Sequence, residues 1–198
     1  KAILPPALAR FTREYPQVDI EIASGTADTL VSATSNGTLD FYVGQFAKEQ
    51  PGLSSVPIGR YPVALISGSR RGLAPMKPVR LDGMAPLKLV VPSAANSLRP
   101  KIEDAIRSGE IVAERTILID SLSAGLEFVS QTDWSWILPS WLCLKELGND
   151  RVTVNPIAGP VLSADVELIF SAQRPLSTPS QRLYDYFLME LRRTGEEW

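Results

Sequence analysis

Histidine is absent from the 198 residues, and cysteine occurs once, at Cys143. Without histidine the Ser-His-Asp and Cys-His nucleophilic arrangements are excluded, together with the commonest transition-metal ligand. A single thiol closes no intramolecular disulfide and gives no zinc site, and it fits a reducing compartment, so the cytoplasm is the expected location. The carboxylates are scattered, with no pair set apart for acid–base work. No catalytic residue, metal or cofactor is expected. A basic excess is missing too: 20 Lys+Arg stand against 22 Asp+Glu, a formal charge of -2, so counterion release cannot drive nucleic-acid binding by this chain. Arg10, Arg13, Glu14 and Asp19 interrupt residues 1–20, which hold neither a secretory apolar core nor a membrane span. The chain opens inside an apolar helix pattern, as expected of a segment with more sequence upstream.

What is present is an ordinary supply of core residues, 44% of the chain, enough for one large domain or two small lobes. Leu4, Leu8, Phe11 and Tyr15 repeat at helical spacing, with Pro5 and Pro6 in the first turn and Pro16 as a stop. Val18, Ile20 and Ile22 alternate with Asp19 and Glu21, which predicts a strand over 18–22. A helix over 27–36 follows, started at Ser24-Gly25-Thr26 and stopped by Gly37, then strands over 39–43, 53–58 and 63–67. A Gly/Pro-rich, basic stretch over 68–86 breaks the pattern and reads as a crossing into a second lobe.

The alternation then resumes. Strands are expected over 87–91, 116–119, 134–138 and 152–154, and helices over 100–108, from Ser121 onward with Leu122, Leu126 and Val129 inward, and over 139–147 closed by Gly148. After Gly159-Pro160 come a strand with Val166, Leu168 and Phe170 on one face and a last helix, capped at Thr178-Pro179, with Tyr184, Phe187, Leu188 and Leu191 as its stripe. Strand and helix in turn predict an α/β fold of parallel sheets covered by helices. The order is compatible with one lobe formed by 1–66 and 164–198 enclosing another formed by 67–163.

The opening Ile3-Leu4-Pro5-Pro6-Ala7-Leu8-Ala9-Arg10-Phe11 with Tyr15-Pro16 resembles the start of LysR-type regulatory domains. So do Asn36-Gly37-Thr38-Leu39-Asp40-Phe41, Val91-Pro92-Ser93 through Arg99, Ile137-Leu138-Pro139 and Pro175-Leu176-Ser177. No motif is specific alone, and their order and spacing across almost the whole chain make the likeness. The resemblance implies two Rossmann-like lobes of the type 2 periplasmic-binding-protein kind with an effector cleft between them. It also implies the return crossing near 164, an N-terminal winged helix-turn-helix outside this chain that contacts DNA, and a homodimer or tetramer. In that family the first helix and following strand of one subunit are expected against the 121–130 helix of another. Where the family usually places two glycines before the "LP" strand, this sequence has Thr132 and Trp134.

In open α/β sheets ligands lie beyond the carboxyl ends of strands, where helix N-termini offer unpaired N–H groups. The turns to inspect are Gly25-Thr26, Gln45 after the strand over 39–43, Ser93 with Asn96, Ser97 and Arg99, and Ser121. Serine and threonine at helix starts are first of all caps, and Arg99 is expected to favour an anion only where it faces the cleft. Trp134 and Trp136 share a side if both lie in a strand; core packing accounts for most of the tryptophans, and Trp134 is the one expected at the ligand. Cys143 reads as a small buried hydrophobe. The expected ligand is a small carboxylate, with an aromatic ring favoured. A transport-type solute-binding protein is the alternative function, separated by what lies upstream; a small enzyme is a poorer one, since no catalytic cluster is present.

Overall fold

The computed structural model describes residues 3–44, 51–92 and 96–195. In chain order its elements are α1 (Leu4–Glu14), α2 (Ala27–Asn36), β1 (Phe41–Gly44), β2 (Leu53–Gly68), β3 (Val79–Arg80), β4 (Leu87–Val91) and α3 (Leu98–Arg107), then β5 (Ala113–Leu118), α4 (Leu122–Gln131), β6 (Ser135–Pro139), α5 (Ser140–Cys143), β7 (Val152–Gly159), β8 (Ser163–Ser171) and α6 (Thr178–Gly195). The chain divides into two compact units, Lys1–Gly59 with Asp165–Trp198, and Arg60–Ala164.

In the first unit α1 starts on prolines, which need no backbone donor there, and buries Ala7 and Phe11 against Tyr186 of α6. Thr26 caps α2, its Oγ1 accepting from Thr29 N at 3.4 Å, and Gly37 ends the helix at φ +82°. The Arg174 guanidinium occupies the space a side chain at Gly37 would need. Strands β1 and β8 pair antiparallel with Tyr42 opposite Ile169. Two expectations fail here. The segment over 18–22 forms no strand: Val18 and Ile20 pack on the α1–α6 cluster, but it joins no ladder among the described residues; alternation fixes which side chains turn inward and cannot supply a hydrogen-bonding neighbour. The cap of α6 is Ser177, whose Oγ accepts from Ser180 N at 3.2 Å, so Thr178 already lies inside the helix.

In the second unit the strand order is β5-β4-β6-β2-β7-β3. Strand β4 runs parallel to β5 and β6, and β3 parallel to β7, whereas β2 is antiparallel to both β6 and β7. The sheet is therefore mixed, not purely parallel as helix–strand alternation suggested. Strand β2 is also one continuous strand where two were expected; Gly59 and Pro62, punctuation in a sequence, are carried here without a break. On one face Leu65, Leu89 and Ile137 pack beneath Leu98 and Ile102 of α3. On the other, α4, capped by Ser121, brings Gly125 onto the Trp136 indole, where any larger residue would collide with the ring. The helix expected over 139–147 is only α5 plus a 3-10 turn at Leu144–Glu146, ended before Gly148 at φ +81°. Among the described residues no helix is long and apolar enough to cross a membrane.

Candidate functional site

The register of the second unit sets an orientation. Leu89 of β4 faces Ser135 of β6, and Val91 faces Leu118 of β5, so the carboxyl ends of all three strands share one edge. Pro92 follows β4 at that edge, Asn96 and Ser97 precede α3, Asp120 and Ser121 lead into α4, and Ser140 and Trp141 follow β6 directly. Two helix N-termini, those of α3 and α4, thus gather there.

Asn96 is used locally: its Oδ1 accepts from Leu98 N at 2.9 Å and its carbonyl from Arg99 N at 3.1 Å. Arg99 is committed as well, donating from Nε to Glu103 Oε1 at 2.7 Å and from Nη1 to Pro92 O at 2.8 Å, which staples the turn into α3. Ser121 spends its hydroxyl on Ala124 N at 3.3 Å and on Ser123 Oγ at 3.2 Å. Ser97 differs. It stands at the N-cap position but makes no capping bond, and its buried Oγ has no partner among the described residues. In α5, which follows β6, the buried indole Nε1 of Trp141 also has no partner among the described residues; the sequence had left this side chain to core packing. The only sequence signal for it was the position of Trp141 just beyond the "LP" strand.

Trp134 lies elsewhere. Strand β6 starts at Ser135, so Trp134 precedes it and sits at the amino end of the parallel strands, a strand's length of roughly 17 Å from the Ser97 edge. Its half-buried ring packs against Phe128, centroids 5.6 Å apart, with the Arg115 guanidinium 5.9 Å above. Beside it Lys88 and Asp133 pair at 2.7 Å; that hydrogen bond chiefly holds the Asp133 carboxyl below its usual range and the Lys88 ammonium above its own. Burial pushes the nearby Arg71 guanidinium down against the opposing pull of Asp133. Gly25 and Thr26 are exposed residues of the first unit, with Thr26 acting as the α2 cap and touching Thr29 Oγ1 at 3.0 Å. Gln45 and Ser93 lie outside the described residues.

Residues 1–192 match the family described as the LysR substrate binding domain. The chain belongs to that family. The LysR fold is equally clear from solved structures: the effector-binding domain of QuiR in complex with shikimate (16% identity, TM-score 0.73, covering 98% of this chain and 90% of that one) and the BenM effector-binding domain with its effector benzoate (12%, 0.76, 98% and 87%). Against an OxyR of Corynebacterium glutamicum carrying a C206 mutation the identity is 20% and the TM-score 0.75, and 99% of this chain covers 60% of that one. The LysR match makes the fold a type 2 periplasmic-binding-protein-like α/β fold.

Within this LysR chain the lone thiol is buried. Cys143 is fully buried, its Sγ lies 3.4 Å from Pro139 O, and burial pushes the thiol far up, with the Glu146 charge adding to the shift. Among the described residues no cluster of His, Cys, Asp and Glu side chains could hold a metal ion.

Proposed function

We propose that this LysR-family domain senses a small carboxylate, with a ring accepted, at the carboxyl-end edge of β4, β5 and β6, and performs no chemistry. The observation that carries this reading is a pair of buried donors without a partner among the described residues, Ser97 Oγ at the start of α3 and Trp141 Nε1 in α5, the helix that follows β6. A hydroxyl and an indole N–H both donate to an anion without bringing a second charge that must be desolvated, and the indole offers an apolar face to a ring. Benzoate on BenM and shikimate on QuiR are carboxylates of this size, which supports the class. The DNA-binding and transcriptional part of the function belongs to the longer protein, in which an effector would act by binding two conformations with different affinity.

The test is titration calorimetry with a panel of small ring carboxylates, benzoate and shikimate included. For a compound that binds, Ser97→Ala and Trp141→Phe should each weaken affinity about tenfold or more, the loss expected of a hydrogen bond to a charged group. Trp134→Gly should leave affinity unchanged. Wild-type affinity in both edge variants, with the fold intact, would sink this placement.

We further propose that the domain forms homo-oligomers through α1 and the 18–22 segment. Support comes from that segment joining no ladder among the described residues while leaving Ile22 49% exposed.

A further inference from the structure

The amino-end edge of the second unit's sheet is rich in cations. Arg71 follows the end of β2, Lys88 and Arg115 lie on β4 and β5, and Arg151 precedes β7. Lys88 is answered by Asp133 at 2.7 Å and Arg151 by Glu127 at 2.6 Å. Arg71 and Arg115 form no hydrogen bond or ion pair among the described residues. Arg71 is half-buried, and loss of water pulls its guanidinium down; Asp133, the carboxylate that opposes this pull, is already held by Lys88. Arg115 stands beside Lys88 in the parallel register of β4 and β5, so two like charges are neighbours on one ladder, an arrangement that costs stability. The Arg115 guanidinium also lies 5.9 Å from the centre of the Trp134 ring, and that ring packs on Phe128 at 5.6 Å, both aromatics half-buried. An unmet guanidinium and a like-charge pair work against the isolated domain, yet arginine beside tryptophan is the composition of an interface hot spot. Carboxylates stand among the cations, Glu114 next to Arg115 and Asp133 next to Trp134, so the evenly spaced phosphates of a nucleic acid would meet repulsion there. A peptide whose carboxylates are separated by apolar side chains avoids it.

We propose that this edge docks an acidic segment of a partner protein, with carboxylates on Arg71 and Arg115 and an apolar side chain on the Trp134 and Phe128 rings. Guanidiniums suit the task, since each can hold a carboxylate through two parallel hydrogen bonds. The surface lies at the opposite ends of the parallel strands from the Ser97 edge and is independent of what binds there.

Fluorescence anisotropy on the full chain tests it, with a labelled peptide of repeated Glu-Phe-Glu units as the probe and a Gln-Phe-Gln peptide of equal length as the control. The wild type should bind the acidic peptide and not the neutral one. Arg71→Gln and Arg115→Gln should each weaken binding about tenfold, the loss of a hydrogen bond between charged groups, and Trp134→Ala about fivefold. Arg193→Gln removes the same charge from α6, where Arg193 pairs with Glu190, and should leave binding as it was. Equal binding of the two peptides, or binding of neither, overturns the proposal. So does an equal loss in Arg193→Gln, which would mean attraction by net charge alone. Tighter binding of a DNA duplex through Arg71 and Arg115 would make the edge a phosphate site, and weaker self-association of Arg115→Gln in sedimentation velocity would make it a face between copies; either result sinks the assignment to an acidic segment.

Discussion

Glu14 ties together parts of the first unit that are far apart in sequence. Its carboxylate accepts from the Tyr186 hydroxyl and from Arg182 Nε at 3.2 Å, while the Arg10 and Arg182 guanidiniums lie 4.2 and 5.0 Å from the centre of the Tyr186 ring. The Tyr186 bond, followed by Arg182 against the opposing effect of burial, holds the carboxyl below its ordinary value of 4.5. A depressed carboxylate stabilises the fold fully above its unfolded value, and that stabilisation is lost as pH falls through the folded one. Urea denaturation should therefore show a constant gap between wild type and Glu14→Gln above about pH 5.5 that closes toward pH 3. A gap independent of pH would contradict this. Helix caps were legible at this scale, Thr26 and Ser121 among them, because a cap is a local event between a hydroxyl and an amide three residues on. Trp134 was not, since one residue of offset at the start of β6 decides whether a side chain belongs to the strand.

At the scale of elements, helices were read more closely than strands. The bounds of α2 follow from a cap and a glycine, both local, whereas β2 and the 18–22 segment depend on neighbours remote in sequence. The α6 stripe was read as a single face of Tyr184, Phe187, Leu188 and Leu191, yet Tyr186 is among the most buried side chains because α6 is covered on two sides, by α1 and by β1. One edge of the second unit's sheet is β5, where Ile117 and Leu118 are 37% and 54% exposed. Sedimentation velocity across a concentration series should show self-association of the wild type and a shift toward monomer for Ile22→Glu. Leu118→Glu and Ala124→Glu then separate two opposing surfaces, the β5 edge and the α4 helix that the family resemblance suggested. An Ile22→Glu variant that associates as strongly as the wild type would remove the 18–22 segment from the interface.

At the scale of the whole molecule, the α/β class and the LysR family were legible because many weak signals kept their order along the chain. The Ser97 edge was legible in part, through the rule that strand carboxyl ends face helix starts; which hydroxyls there remain unpaired depends on distances that composition and spacing do not carry. The packing of α1 on α6 has a consequence in time. Arg60–Ala164 is synthesised before α6, so the partners of β4, β5 and β6 are available first, while Phe11 of α1 waits for Tyr186. Contacts that span most of the chain carry the largest loop-closure cost and form late. Pulse-labelling hydrogen exchange during refolding of the full chain should accordingly protect the amides of β4 and β6 before those of α1. Simultaneous protection would mean that the two units fold as one cooperative body, and the first to appear would then be neither.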